Sequence, residues 1–236
     1  MKTAAYLFCL AASALPLAHA QSICTSDGVR APVALVERFI NADCASCWSD
    51  AATPKVGDDQ LAIDWIVPSD RGDDAPLSAA ATRDALSRLK ALDRSAPKQT
   101  LTITTRVTGS GAAALPLRVA HGVSINNYIG TSIRIKPAPV IPAGSGPWTA
   151  WLLLVETVPK GVEGTPVPRN LVRNSLQSLW NNNSTLSNDE QTRLEESRPM
   201  QIPPDADPKH LRVVGWVQDA QGHVLAAAQS RCEPGD

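Results

Sequence analysis

The residues best suited to chemistry are two cysteines three positions apart, in Cys44-Ala45-Ser46-Cys47. They follow a mostly apolar run and open a segment, residues 44–55, that can form a short helix. At a helix N-terminus the peptide dipoles stabilise a thiolate on the first cysteine, and the second lies one turn further on. The motif therefore predicts a candidate redox pair, in which Cys44 attacks a disulfide and Cys47 resolves the mixed intermediate.

The remaining cysteines indicate a second disulfide. The chain has five cysteines, and Cys9 lies in an N-terminal segment that we expect to be removed. An even number of cysteines in an exported protein favours disulfides over free thiols, although four cysteines allow three pairings. The pairing we favour joins Cys44 to Cys47 and Cys24 to Cys232, because the second bond would connect the two ends of the mature chain.

Residues 1–20 have the features of a cleavable signal peptide. Lys2 is followed by an apolar run over residues 4–15 and by the small-x-small pattern Ala18-His19-Ala20. We therefore expect a periplasmic or secreted protein, and no later segment is apolar for long enough to span a membrane. The net charge of −1 gives no electrostatic reason to expect nucleic acid. The expected partner is an unidentified periplasmic protein or another thiol.

The elements around the Cys-x-x-C pair predict an α/β arrangement. Residues 33–39 and 61–67 are short apolar runs that indicate buried strands, and the helix between them predicts a parallel pair with a right-handed crossover. Ser78 is expected to cap a second helix that ends near Leu92. The predicted apolar face of this helix comprises Ala81, Ala85, Leu86 and Leu89, and its solvent face comprises Arg83, Asp84, Arg88 and Lys90.

The second part of the chain has the pattern of antiparallel β-structure. Apolar and polar residues alternate over residues 99–107, which is typical of a strand with one face in water. Further β-like runs cover residues 115–120, 124–136, 148–158, 211–218 and 223–230. One helix is predicted over residues 170–180, because Leu171, Val172, Ser175, Leu176 and Leu179 recur at helical spacing. We therefore predict an α+β fold, with an α/β part over residues 21–96 and a mainly β, sandwich-like part over residues 97–236.

Residues 36–50 resemble a family of bacterial exported thioredoxin-like proteins of unknown function, which typically read V-E-L-F-T-S-x-x-C-x-x-C-P-P-A-D. The match comprises Glu37, Phe39, both cysteines and Asp50. The closing segment, residues 213–228, is similar to the final hairpin of the family. The resemblance implies a thioredoxin-like α/β first half with Cys44 and Cys47 as the candidate catalytic pair. It also places Glu37 near the buried acid that accepts a proton in thioredoxins; the alternative is a strand residue at an exposed edge.

Several departures from this pattern bear on catalysis. Trp48-Ser49 stands where the family has Pro-Pro, and Asp64 falls near its usual histidine. Residues 93–98 are too few to hold the cis-proline loop that faces the disulfide in thioredoxins. Asp43 places a carboxylate beside Cys44, which opposes thiolate formation. These features favour a non-catalytic binding or structural role, and a periplasmic thiol-disulfide oxidoreductase is the alternative.

Metal binding is a further alternative. Zinc held by all four cysteines would need a second closely spaced pair, and the sequence has only one. Copper held by Cys44, Cys47 and one histidine is chemically reasonable in the periplasm, and the available histidines are His121, His210 and His223. None of them has a ligand-like spacing. We therefore expect no cofactor and no resident metal, and keep a periplasmic copper-binding protein as the third possibility.

Overall fold

The structure is a computed structural model that describes residues 24–109, 115–136, 146–180 and 194–232. The described residues are 49% strand and 14% helix, with two sheets and two α-helices, so the predicted α+β fold with a thioredoxin-like α/β first half is wrong. The signal peptide predicted over residues 1–20 lies outside the described residues. Within them, no helix combines the length and the apolar character needed to cross a membrane.

The two sheets are built from strands that are far apart in the sequence. The strands are β1 (Cys24–Thr25), β2 (Ala34–Asn41), β3 (Gln60–Val67), β4 (Thr100–Arg106), β5 (Leu117–Ile125), β6 (Tyr128–Ile135), β7 (Trp148–Val158), β8 (Arg169–Trp180), β9 (Glu195–Gln201), β10 (Leu211–Gln218) and β11 (Val224–Gln229). The α-helices are α1 (Ala45–Trp48) and α2 (Arg83–Ala91). The smaller sheet has the order β1-β5-β6-β9, and the larger one has the order β11-β10-β7-β8-β3-β2-β4.

The predicted parallel pairing of β2 with β3 is present, but the helices beside it are shorter than expected. Helix α1 ends at Trp48, because the Asp50 carboxylate accepts the Ala52 N–H at 2.8 Å and makes a turn instead of a further helical turn. Residues 78–80 form a 3₁₀ turn, and α2 begins only after Thr82, whose side chain accepts the Asp84 N–H. The helical layer is therefore too small for an α/β fold.

The larger sheet contains strands from both sides of residue 96. Strand β4 pairs with β2, and β3 continues to β8 where Asp64 lies opposite Leu171. Beyond the end of β4, the Thr108 N–H donates to the Val224 carbonyl of β11 at 2.8 Å. One end of the edge strand β4 therefore lies beside one end of the other edge strand, β11. The sheet therefore curves around α2. The division of the chain into a part over residues 21–96 and a part over residues 97–236 stays a prediction.

The helix predicted over residues 170–180 is wrong, since this segment forms strand β8. Its register against β7 shifts between Leu154 and Val155, which leaves Arg173 as an extra residue in β8. A bulge of this kind interrupts the alternation of a strand. Apolar residues at 171, 172 and 176 therefore acquire a spacing that imitates a helix.

The long β-run over residues 124–136 is a hairpin, and not one strand. Strand β5 ends at Ile125 and β6 begins at Tyr128, with Asn126 and Asn127 at φ values of 50° and 62°. Asparagine tolerates this left-handed region, which a two-residue hairpin turn of the primed type requires at both positions.

The sheets pack face to face at Gly215 in the middle of β10. A Cβ atom there would lie 2.7 Å from Cγ1 of Val119 and 2.8 Å from Cδ1 of Ile133, both in the smaller sheet. The opposite face of the larger sheet packs on α2 through a core that includes Leu35, Phe39, Trp65, Leu89 and Trp151. Each face of the larger sheet thus has its own core.

Candidate functional site

The Cys-x-x-C pair lies at the C-terminal end of β2, where Cys44 and Cys47 form a disulfide. Both residues are partly exposed, and the Cys47 N–H donates to the Cys44 carbonyl at 3.0 Å. The neighbouring Asp43 carboxylate accepts the Ser69 hydroxyl at 3.0 Å and lies 3.7 Å from Nε of Arg71. The acid predicted beside Cys44 is therefore held at the surface by the loop that follows β3.

Trp48 fixes the base of the disulfide loop. Its indole N–H donates to the Glu163 carbonyl at 2.9 Å, and its own carbonyl accepts from Nη2 of Arg169 at 2.8 Å. The Arg169 guanidinium also lies 4.9 Å from the centre of the indole ring, which is a cation–π geometry. Trp48 thus ties α1 to the start of β8.

Asp64 is fully buried between two arginines. It accepts hydrogen bonds from Nη2 of Arg38 at 2.9 Å and Nη1 of Arg169 at 3.0 Å, and from the Asn170 N–H at 3.0 Å. Burial lowers the pKa of the Arg169 guanidinium, and the Asp64 carboxylate opposes this shift. The residue near the family's usual histidine therefore joins β2, β3 and β8 by buried ion pairs.

Glu37 is buried, as a proton-accepting acid would be, but its carboxylate is already occupied. Both oxygens bind Arg88, at 2.8 Å from Nε and 2.7 Å from Nη2, and one also accepts the Trp65 indole N–H at 3.2 Å. The Arg88 guanidinium lies 4.9 Å from the ring centres of both Trp151 and Trp216. Side chains alternate along a strand, so Glu37 projects from the sheet face opposite to that of Arg38.

The structure differs from the sequence pattern at Arg88. The pattern predicts Arg88 on the solvent face of α2 and Leu86 on the apolar face, whereas Arg88 is buried and Leu86 is 40% exposed. A signal for this existed in the sequence. Glu37 lies inside an apolar strand, and a buried carboxylate needs a cation with a matching hydrogen-bond geometry, which arginine supplies.

The second disulfide joins Cys24 to Cys232, as predicted, across a sequence separation of 208. Cys24 is buried, Cys232 is exposed, and His121 lies directly opposite Cys24 in the β1–β5 pairing. Nδ1 of His121 is 2.9 Å from the Gly122 carbonyl. A carbonyl only accepts, so Nδ1 carries the proton and Nε2 carries the lone pair.

This imidazole has no partner for its lone pair. His121 is 5% exposed, and its Nε2 is buried with no hydrogen-bond partner among the described residues. Burial lowers the pKa of the His121 imidazole, and the bond to Gly122 only partly opposes this effect. Burial therefore favours the neutral ring, and the bond to Gly122 favours the tautomer that leaves Nε2 free to accept.

The three histidines considered as copper ligands, His121, His210 and His223, occupy different environments. His210 is 3.5 Å from Asp207 and His223 is 2.9 Å from Asp219, and both imidazoles are exposed. In residues 24–109, 115–136, 146–180 and 194–232, the one set of three potential metal ligands whose atoms lie within 4.8 Å of one another is Cys24, His121 and Cys232. No histidine is grouped in this way with Cys44 and Cys47. Sequence spacing gave no sign of the set, because the β1–β5 pairing creates it.

A surface pocket of about 500 Å³ adjoins His121 on the smaller sheet. Its wall includes the hydroxyl residues Thr131 and Ser197 and the arginines Arg118 and Arg198. Arg118 is paired with the exposed Asp27 at 2.8 Å, and the pair lowers the pKa of the Asp27 carboxyl. The pocket therefore gives solvent a route to the strand that carries His121.

No protein-family model matches the chain, and no curated protein matches it. Among solved structures, the chain is similar to HBP35 of Porphyromonas gingivalis, with a TM-score of 0.46 and 10% sequence identity. The similarity covers 86% of this chain and 76% of that one.

Proposed function

We propose that this is an exported protein with a non-catalytic binding or structural role, in which Cys44–Cys47 is a structural disulfide. The observation that carries the proposal is the bidentate ion pair between Glu37 and Arg88. An acid that serves the resolving thiol must be free to take its proton. Glu37 instead compensates a buried guanidinium, and protonating it would leave that cation unpaired.

The surroundings of the cysteines support the same conclusion. Thiol-disulfide exchange needs a stabilised thiolate on the attacking cysteine. Helix α1 has only four residues, so few aligned peptide dipoles act on Cys44. The nearest charged residue along the chain is Asp43, whose carboxylate disfavours a second negative charge.

Thiol-disulfide oxidoreductase activity is the second candidate, and one observation favours it. Cys44 and Cys47 are both partly exposed at the end of a strand, so a thiolate of a partner protein can reach the disulfide. Access alone does not make exchange fast, because the leaving thiolate also has to be stabilised.

Insulin reduction and the refolding of scrambled ribonuclease distinguish the two candidates. We expect rates at background, and we expect Cys44→Ser to lower the melting temperature without changing these rates. The Cys24→Ser/Cys232→Ser double variant is the matched control for loss of a disulfide elsewhere. Rates comparable with those of thioredoxin that disappear in Cys44→Ser, but persist in the control, would establish the oxidoreductase instead.

A further inference from the structure

We propose that reduction of Cys24–Cys232 creates a metal site formed by these two cysteines and His121, with a preference for a soft or borderline ion such as Zn²⁺ or Cu⁺. The proposal is independent of the role of Cys44–Cys47. It concerns the opposite sheet, and it depends on a buried imidazole whose lone pair has no partner within residues 24–109, 115–136, 146–180 and 194–232.

The three ligand residues are brought together by backbone pairing. Cys24 faces His121 across the β1–β5 pair, and Thr25 pairs with Arg231, which precedes Cys232. The ligand atoms of Cys24, Cys232 and His121 lie within 4.8 Å of one another. Metal–sulfur bonds of about 2.3 Å and metal–nitrogen bonds of about 2.0 Å let one ion bridge such atoms after a small separation of the sulfurs.

The imidazole is oriented in the manner of a metal ligand. Its Nδ1–H donates to the Gly122 carbonyl at 2.9 Å, which fixes the tautomer and leaves Nε2 as the ligand atom. Histidine ligands of metals commonly have a carbonyl or carboxylate partner of this kind on the second nitrogen. An unsatisfied buried nitrogen costs free energy, and a bound ion would remove that cost.

The chemistry requires an external dithiol, which supplies two electrons. The dithiol is oxidised to a disulfide, and its two protons and two electrons convert Cys24–Cys232 into two thiols. Binding of Zn²⁺ then forms two metal–thiolate bonds and one metal–imidazole bond, with release of two thiol protons to solvent. His121 releases none, because its ligand nitrogen is already unprotonated.

The donor set determines which ions fit. Thiolates and imidazole favour Zn²⁺ and Cu⁺ over Mg²⁺ and Ca²⁺, which prefer oxygen ligands. Three protein ligands complete the trigonal coordination that Cu⁺ accepts and leave one position of a zinc tetrahedron for water. The pocket of about 500 Å³ that His121 helps to line places solvent beside this residue.

The test uses the full chain carrying Cys9→Ser, Cys44→Ser and Cys47→Ser, so that Cys24 and Cys232 are the only thiols that can bind. The protein is reduced with a phosphine, which is then removed under inert gas, and Co²⁺ is titrated in as a spectroscopic substitute for Zn²⁺. We expect one Co²⁺ per chain, thiolate-to-cobalt charge-transfer absorption, and displacement by Zn²⁺. His121→Ala should weaken binding at least about tenfold, whereas His223→Ala, which changes an exposed imidazole, should leave it unchanged.

Three results would overturn the proposal. One is the absence of stoichiometric Co²⁺ binding after reduction, and another is equal affinity in His121→Ala and the parent. The third applies if reduction unfolds the chain, which circular dichroism would detect. Zn²⁺ must then restore the native spectrum, and failure to restore it would contradict the site. Restoration by Zn²⁺ in the parent, but not in His121→Ala, supports it.

Discussion

Glu37 and Arg38 are adjacent in β2, yet each forms a buried ion pair on a different face of the larger sheet. Glu37 binds Arg88 of α2, and Arg38 binds Asp64 of β3. All four side chains are almost completely buried. One strand is therefore fixed from both sides by charges, and removing either partner of the Glu37–Arg88 pair leaves the other as an uncompensated buried ion.

The first prediction concerns the pair beneath α2. Arg88→Met should lower the free energy of unfolding by about 3–5 kcal/mol, because it leaves the buried Glu37 carboxylate without its positively charged partner. The double variant Glu37→Gln/Arg88→Met has no unpaired carboxylate. Its free energy of unfolding should therefore exceed that of Arg88→Met by at least about 1 kcal/mol. Urea unfolding measures both values. The single variant Glu37→Gln completes the comparison. If the losses in the free energy of unfolding of the two single variants add up to the loss in the double variant, the residues are not energetically coupled.

A second prediction tests the contact between the sheets. Gly215→Ala introduces a Cβ atom 2.7 Å from Val119 and 3.2 Å from the Trp151 carbonyl, so it should destabilise the fold by about 1–3 kcal/mol. Gly130→Ala in β6 is the matched control, because nothing lies within 4 Å of the added atom. Thermal unfolding compares the two. Equal melting temperatures would mean that the sheets are not packed closely at Gly215.

The two disulfides should differ in their contribution to stability. Cys24–Cys232 spans 208 positions and Cys44–Cys47 spans three. In the chain-entropy model these loops correspond to about 5 and about 2 kcal/mol. Serine double variants at each pair, compared by denaturant unfolding, should show the larger loss for Cys24 and Cys232. A larger loss at Cys44 and Cys47 would contradict this ranking.

The hairpin between β10 and β11 should make stability depend on acidic pH. Burial tends to raise the pKa of Asp219, but hydrogen bonds from His223 and from the Gln221 N–H outweigh it and hold the pKa below its ordinary value of 3.8. The unfolded chain then binds the proton more readily, so this stabilisation is complete above that value and is lost as the pH falls through the folded-state pKa. The free-energy difference between wild type and Asp219→Asn should shrink below about pH 4. The exposed Asp70→Asn serves as the control, and a difference that stays constant with pH would contradict the assignment.

Local patterns predicted the elements whose structure is decided locally. Strands β2, β3, β7, β10 and β11 fall on apolar or alternating runs. The last two form a hairpin in which the Asp219 N–H donates to the His223 carbonyl. The pairing of Cys24 with Cys232 followed from the even cysteine count and the positions of these residues. In each case a short range of sequence, or a simple count, carries the information.

Features that depend on residues far away in the sequence could not be predicted from local patterns. The bulge at Arg173 is defined by the register of β8 against β7, and it gives the apolar residues of β8 a spacing like that of a helix. The burial of Arg88 depends on Glu37 and two tryptophans far along the chain. His121 meets Cys24 only because β1 pairs with β5. Hydrophobic periodicity records which face of an element is apolar, and it does not identify the element that covers that face.

The reduction potential of Cys44–Cys47 is the most direct test of the proposed non-catalytic role. The full chain is equilibrated with dithiothreitol redox buffers, the free thiols are alkylated, and the modified fraction of Cys44 and Cys47 is measured at the peptide level, so that Cys24–Cys232 does not interfere. With little thiolate stabilisation from α1 and an acid at Asp43, the potential should be lower than that of thioredoxin, about −270 mV. A potential at or above that value would show a stabilised dithiol and would contradict the structural assignment of this disulfide.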